Sequence, residues 1–184
     1  FLDYDFTENH LRSSMGVEYG LDYVHLAANY YRRVSDWHDS SLPDLDARPA
    51  NGWDVRAEAY LPFYPQIGVN FAFEQYYGTK VAALNGKDFE TDPFVESLGI
   101  SYTPIPLVNF NANYKRSEKI HNLELHANLD YHFGMPLNQQ LDPENVATLR
   151  TLTGSRYDFV NRNNKIVLEY KKHEPIQLSM ATRI

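Results

Sequence analysis

The chain contains no cysteine among its 184 residues, so neither a disulfide framework nor a thiolate metal site is open to it. It lacks any run approaching the roughly 20 consecutive apolar residues of a membrane helix. Nothing at its start reads as a secretory signal peptide. Positive charge is scarce as well: 17 Lys and Arg against 24 Asp and Glu leave a net charge of −7, which argues against a nucleic-acid surface. Phe1 stands inside a strand pattern, with Leu2, Tyr4 and Phe6 alternating against Asp3 and Asp5, so the sequence is expected to be a fragment lacking upstream residues. Its length suits one domain of middling size.

Aromatic residues are abundant, with 14 Tyr and 10 Phe, while charged residues still make up 22%. Their arrangement carries the information. From 121 to 133, Leu123, Leu125, Ala127, Leu129, Tyr131 and Phe133 alternate with Asn122, Glu124, His126, Asn128, Asp130 and His132. Side chains point to opposite faces along a strand, so one surface is apolar and the other fully polar. The pattern recurs. Met15, Val17, Tyr19 and Leu21 oppose Ser14, Gly16, Glu18 and Gly20; after a parity change at Asp22, Val24, Leu26, Ala28 and Tyr30 oppose His25, Asn29 and Tyr31. Trp53, Val55, Ala57, Ala59 and Leu61 oppose Asp54, Arg56 and Glu58, and Ile67, Val69, Phe71 and Phe73 oppose Asn70 and Glu74. Leu98, Ile100 and Tyr102 follow, and then Val108, Phe110, Ala112 and Tyr114 oppose Asn109, Asn111 and Asn113. This predicts seven full strands and one partial strand, each full one about the 9–11 residues that a tilted strand needs to cross a bilayer.

The connections alternate in length. Asp22, the Pro-Phe-Tyr-Pro corner at 62–65 and the Pro-Ile-Pro corner at 104–106 are tight, whereas 7–12, 35–52, 78–92 and 116–120 are longer and polar. Two dissimilar ends are the asymmetry of outer-membrane barrels, with short periplasmic turns and longer surface loops. Tyr19, Tyr23, Tyr30, Trp53, Phe63, Tyr64, Tyr76, Tyr77, Tyr102 and Tyr131 fall near strand ends, where interfacial aromatic girdles sit. Periodicity alone also permits a soluble barrel of the lipocalin kind, apolar inside and polar outside.

Beyond Phe133 the pattern changes. Asp142 at an N-cap, Pro143 at the first helical position and Glu144 in the first turn predict a helix start. Val146, Leu149 and Leu152 supply a narrow apolar stripe, and Gly154 is the expected C-cap. Residues 161–172 then read as extended, with Ile166, Leu168 and Tyr170 alternating against Val167, Glu169 and Lys171.

Several runs carry a family resemblance: Arg48-Pro49-Ala50-Asn51-Gly52-Trp53-Asp54-Val55-Arg56-Ala57-Glu58, Glu74-Gln75-Tyr76-Tyr77-Gly78, Tyr102-Thr103-Pro104-Ile105-Pro106-Leu107, and the long run from Gly154-Ser155-Arg156-Tyr157 through Asn161-Arg162-Asn163-Asn164 to Glu169-Tyr170-Lys171-Lys172. Over nearly its whole length the chain resembles the β-domain of the intimin/invasin family, the inverse autotransporters of type Ve secretion. The resemblance implies an all-β fold: an antiparallel up-and-down transmembrane β-barrel, followed by a short α-helix and an extended intraluminal linker. The family barrel is twelve-stranded, so about four N-terminal strands are expected to be missing, leaving an open curved sheet with the tail on its concave polar face.

The same resemblance implies a division into 1–133, a partial outer-membrane translocator; 134–160, a plug helix region at the periplasmic side; and 161–184, a linker through the pore toward a missing passenger. Leu125, Leu129, Tyr131 and Phe133 would form the barrel-closing signal. Asp142, Pro143 and Leu149 would belong to the plug helix, and Arg156, Tyr157, Arg162, Asn163, Asn164, Glu169 and Tyr170 to the linker. Crossing roughly 30 Å of hydrocarbon at about 3.3 Å per extended residue takes on the order of 9 residues, which 161–184 amply supplies. Glu169 and Lys171 are expected to meet lumen charges such as Arg56, Glu58, Glu74 or Glu124.

The implied function is an anchor and exporter in the outer membrane of a Gram-negative bacterium, displaying a C-terminal passenger for adhesion to host cells or biofilm formation. Its implied partners are the outer-membrane lipid bilayer, the barrel assembly machinery and a host-cell receptor bound by the passenger, with no cofactor. A catalytic site from His25, His126, His132, Asp54 and Glu58 is disfavoured, because any wet lumen carries such groups. His126 and His132 lie roughly 20 Å apart by strand rise, too far to share a metal ion. The alternative functions are an open porin-like barrel and a soluble ligand-binding barrel.

Overall fold

The computed structural model describes residues 1–86, 88–151 and 160–173. Leu152, Gly154, Arg156 and Tyr157, singled out above, lie outside the described residues. Among the described residues twelve strands appear in chain order: β1 (Leu2–Asp5), β2 (His10–Leu21), β3 (Val24–Arg33), β4 (His38–Asp39), β5 (Leu45–Pro49), β6 (Asn51–Leu61), β7 (Tyr64–Tyr77), β8 (Val81–Ala82), β9 (Phe94–Ile105), β10 (Val108–Arg116), β11 (His121–Leu129) and β12 (Leu168–Lys172).

Eight of them form one antiparallel sheet in the order β1-β2-β3-β6-β7-β9-β10-β11, the up-and-down arrangement expected from seven full strands and one partial strand. The two ends of that order, β1 and β11, are edges, so the sheet is open. Its faces settle the choice that periodicity left. Apolar side chains stand on the exposed face, with Met15 at 71% and Leu125 at 73% exposure, while Asp54 is 1% and Glu74 7% exposed. Asn29, Ser97, Ser101 and Thr103 are buried on the same polar face. A water-soluble barrel would carry the opposite distribution. A sheet whose outside meets hydrocarbon and whose inside is polar requires this one.

The last strand is shorter than the alternation implied. β11 stops at Leu129 because its partner begins at Val108, which pairs with Leu129. Past that point Asp130 N still reaches Leu107 O at 2.9 Å. His132 then takes the Gln140 side chain instead: its N–H donates to Oε1 at 3.0 Å and its carbonyl accepts from Nε2 at 3.1 Å. Tyr131 and Phe133 therefore leave the ladder, their rings meeting edge to face with centroids 5.3 Å apart.

The helical region is not one helix over 142–152: among the described residues it starts earlier, breaks into separate turns and ends at Leu149. It comprises α1 (Leu137–Gln140), a 3-10 turn at Pro143–Asn145 and α2 (Val146–Leu149). Asp142 caps the 3-10 turn, accepting from Glu144 N at 3.0 Å, with Pro143 in the first position. The helix ends after Leu149 because Arg150 is held sideways. Its carbonyl accepts from Tyr23 N at 2.8 Å, and its guanidinium donates to Thr103 Oγ1 at 2.7 Å while lying over the Tyr60 ring.

A second sheet, in the order β4-β5-β12-β8, joins pieces of the two long connections to the C-terminal segment. β12 pairs with β5 from Leu168↔Pro49 to Lys172↔Leu45 and with β8 at Leu168↔Ala82 and Glu169↔Val81. Regular extension is thus confined to Leu168–Lys172, not 161–172, because preceding residues bond to side chains of the large sheet rather than to a neighbouring strand. Apolar packing concentrates here. Tyr31, Ala50, Tyr76, Val81 and Val167 form one buried cluster; Ala47, Ala82 and Tyr170 form another, backed by Leu42, Leu45, Phe89 and Leu168. Burying Val81 and Val167 contributes about 1.5–3 kcal/mol each, which holds loops and tail together at the long-loop end.

Candidate functional site

The polar face of the large sheet and the segment crossing it form the site. At the short-turn end, the turns before β3 and β10 and the first residues of β7 receive the helical region: besides the Arg150 contacts given above, Leu107 N donates to Gln140 O at 3.1 Å and Arg150 Nε to Pro65 O at 3.4 Å. Gln140 and Val146 are fully buried in this contact, whereas Leu149 is half-buried.

The middle of the face is a buried carboxylate pair. Asp54 and Glu74 sit directly opposite in the β6–β7 register. Like charges so placed repel, and three kinds of donor answer the repulsion. Arg56 reaches Asp54 at 3.2 Å and Glu74 at 2.8 Å. The Tyr31 hydroxyl donates to Asp54 Oδ2 at 2.5 Å and the Tyr76 hydroxyl to Glu74 Oε2 at 2.6 Å. Asn29 Nδ2 donates to Asp54 Oδ1 at 2.8 Å.

Asn163 docks onto this assembly. Its backbone N–H donates to Tyr31 Oη at 2.8 Å, and its Nδ2 donates to Glu74 Oε2 at 2.8 Å and Tyr76 Oη at 2.7 Å. A neutral amide supplies donors without adding a charge, which suits a site where Arg56 already faces two carboxylates. Beside it Arg162 grips both oxygens of Asp3, at 2.8 and 2.7 Å, a bidentate pairing that Lys cannot reproduce. Arg12, fully buried over the Tyr31 ring, joins Asp3 at 2.9 Å and donates to the carbonyls of Asn163 and Lys165 at 2.7 and 3.1 Å. Asn161 N donates to Glu18 at 2.7 Å. Asn164 is exposed, bordering a recess along β1 with Asp3 and Tyr4.

At the long-loop end the partners of Glu169 and Lys171 differ from those expected. Glu169 Oε2 binds Arg48 at 2.8 Å and lies 3.7 Å from Arg33, and its Oε1 accepts from Thr79 N at 3.2 Å. Lys171 lies 3.7 Å from Asp46 and above the Trp37 ring. Arg56, Glu58, Glu74 and Glu124 do not meet them, because β12 has already passed into the loop sheet. Tyr170 is buried against Phe89, and that burial pushes its hydroxyl pKa up. The hydrogen bond to Asp46, 2.8 Å from Nδ1, raises that of His173. Residues 160–173 thus follow the polar face toward the end opposite Arg150.

Leu125, Leu129, Tyr131 and Phe133 are all exposed on the apolar side or at the short-turn end. Sequence reasoning missed Asp3, Arg12, Tyr31, Asp54 and Tyr76 as a unit with Asn163. One signal was available: Tyr31 and Tyr76 occupy the polar parity of their strands, where an aromatic is out of place unless its hydroxyl is used.

Residues 1–164 match the family described as inverse autotransporter, beta-domain. The chain belongs to that family. It is 43% identical over 182 residues to intimin of Escherichia coli, covering 98% of this chain and 19% of intimin. It is likewise 43% identical over 186 residues to the inverse autotransporter adhesin YeeJ of Escherichia coli, covering 98% of this chain and 8% of that protein. Invasin of Yersinia enterocolitica is 36% identical over 184 residues, covering 99% of this chain and 22% of invasin. The chain therefore spans about a fifth or less of these relatives. A solved chain from work on the in-meso crystallization of membrane proteins superposes with a TM-score of 0.90 at 43% identity, covering 92% of this chain and 71% of that one. The inverse autotransporter β-domain described here is an outer-membrane, all-β structure.

Proposed function

We propose that this β-domain anchors an adhesin in the outer membrane and carries its C-terminal passenger outward through the lumen. In this reading 1–133 is the translocator, 134–160 closes the periplasmic side, and 161–184 is the exported linker. The observation that carries it is the path of residues 160–173. They start on the polar face at Asn161, bonded to Glu18 and Asn29, pass the Asp54–Glu74 pair through Asn163, and enter the loop sheet at Leu168, away from the short-turn end that binds Arg150. Short turns face the periplasm in outer-membrane barrels, so this direction is outward. A polar face holding a polar segment by side-chain bonds suits a track that a chain once slid along.

In this reading Leu125, Leu129, Tyr131 and Phe133 present the strand end to the barrel assembly machinery, and the passenger meets a host-cell receptor or a neighbouring cell. In this reading the domain has no catalytic part, and the Asp54–Glu74 pair serves to position the linker, held by Arg56, the Tyr31 and Tyr76 hydroxyls and Asn163. The test is a protease-cleavable epitope placed after Ile184 in the full-length protein. Cleavage by external protease on intact cells is expected. An epitope that external protease reaches only after the outer membrane is permeabilised overturns the proposal.

A further inference from the structure

The polar network described above does not include His10 and Glu8, two residues at the start of the β2 strand and in the turn before it. His10, at the start of β2, is fully buried, yet neither Nδ1 nor Nε2 makes a hydrogen bond. Its neighbour is equally unusual. Glu8, in the β1–β2 turn, accepts from Ser41 with Oε1, while Oε2 is buried and unpartnered. His10 Nε2 and Glu8 Oε2 stand 3.6 Å apart, longer than a hydrogen bond. Unmet hydrogen-bonding atoms of an imidazole and a carboxylate, both desolvated and facing each other, cost free energy that a natural fold recovers through an ordered water or a bound ion.

The geometry fits one class of ligand. Two atoms bound to a tetrahedral zinc ion at 2.0–2.1 Å lie about 3.3 Å apart, close to the separation seen here. A third donor is at hand: the His38 ring, on β4, has its centroid 5.8 Å from that of His10, with the planes at 50°. His38 is exposed on a two-residue strand, so its side chain can turn without disturbing packing. Two imidazoles and a carboxylate leave a fourth position for water and favour zinc or a related divalent transition metal over Mg²⁺ or Ca²⁺, which take oxygen ligands.

We propose that Glu8, His10 and His38 form a zinc-class site tying the β1–β2 hairpin to the loop whose β5 strand holds the C-terminal segment. Hairpin, loop and tail come from distant parts of the chain, and the metal fastens the first to the other two at the long-loop end. The nearby group Asp39, Asp46 and His173 is a natural competitor for metal, with ligand atoms within 4.8 Å of one another. Its atoms already have partners, His173 with Asp46 and Asp46 with Lys171, so it supplies the control.

The experiment is calorimetric titration of Zn²⁺ into the full-length protein in detergent, after stripping with EDTA, alongside His38→Ala, Glu8→Gln and Asp46→Asn variants. Wild type is expected to bind one Zn²⁺ that excess Mg²⁺ and Ca²⁺ do not displace. His38→Ala and Glu8→Gln should weaken that binding at least tenfold, and Asp46→Asn should leave it unchanged. Because His38 is exposed, its removal reports on binding even where Glu8→Gln disturbs the hairpin. Absence of stoichiometric binding, an unchanged affinity in His38→Ala, or loss of binding in Asp46→Asn overturns the proposal.

Discussion

Replacing Asn163 by Ala removes the amide that joins the C-terminal segment to the Asp54–Glu74 pair. The side chain donates to the Glu74 carboxylate at 2.8 Å and to the Tyr76 hydroxyl at 2.7 Å. A bond to a charged acceptor contributes about 1.5–3 kcal/mol and a neutral one about 0.5–1.5 kcal/mol. The Asn163 backbone bond to Tyr31 survives the substitution, and Lys165 N, which loses Asn163 Oδ1, is exposed and turns to water. The expected loss is therefore about 2–4 kcal/mol in the free energy of local opening. At about 1.4 kcal/mol per factor of ten, protection of the amides in 160–167 should fall roughly 30- to 700-fold. Hydrogen-exchange mass spectrometry of the full-length protein in detergent reads this directly, with strands β9 to β11 as internal reference. Asn163→Asp should be worse, since it places a third carboxylate beside the pair. Unchanged exchange in 160–167, or equal loosening of the reference strands, would refute the assignment of Asn163 as the anchor.

Three further outcomes follow from the same contacts. Leu125→Arg puts a charge on the lipid face and should cost about 2–4 kcal/mol near mid-membrane, whereas Asn128→Arg, on the polar face, should assemble normally by heat-modifiable gel migration. Gly78 has φ +153° and a Cβ there would stand 2.6 Å from Glu169 Cδ. Gly78→Ala should therefore push Glu169 off Arg48 and raise proteolysis in the loop sheet without affecting barrel assembly. His173 has a raised pKa in the folded state, so its contribution is complete below the unfolded value near 6.5 and is lost as pH rises through the higher folded value. Exchange at residues 171–173 should accelerate over that rise beyond its intrinsic pH dependence, and His173→Gln should remove the extra acceleration.

The large sheet was legible because lipid on one side and a polar interior on the other impose a strict two-residue alternation on every strand. Val55 against Asp54, or Leu125 against Glu124, needs no tertiary information to assign. The loop sheet was illegible for the opposite reason. β8 and β4 are two residues long, and β12 acquires its partners from residues 45–49 and 81–82, so no local period exists. Residues 161–165 carry an extended composition but are held by side chains of β1, β2, β3 and β7, so they form no strand. The expected pairing of Glu169 with lumen charges failed on distance along the segment: Asn163 already occupies the level of Glu74, and a residue six positions on lies beyond it. The Asp142-Pro143 start was readable from capping chemistry alone. The early end at Leu149 was not, since it depends on Arg150 reaching Tyr23 and Thr103.

The outward path of the C-terminal segment is tested most directly by single cysteines on a cysteine-free background, at two exposed positions, Lys172→Cys and Glu144→Cys. A membrane-impermeant maleimide added to intact cells should label position 172 and leave position 144 unlabelled until the outer membrane is permeabilised. Labelling of 144 with protection of 172 would contradict the orientation, and equal labelling of both would contradict the separation of the two ends.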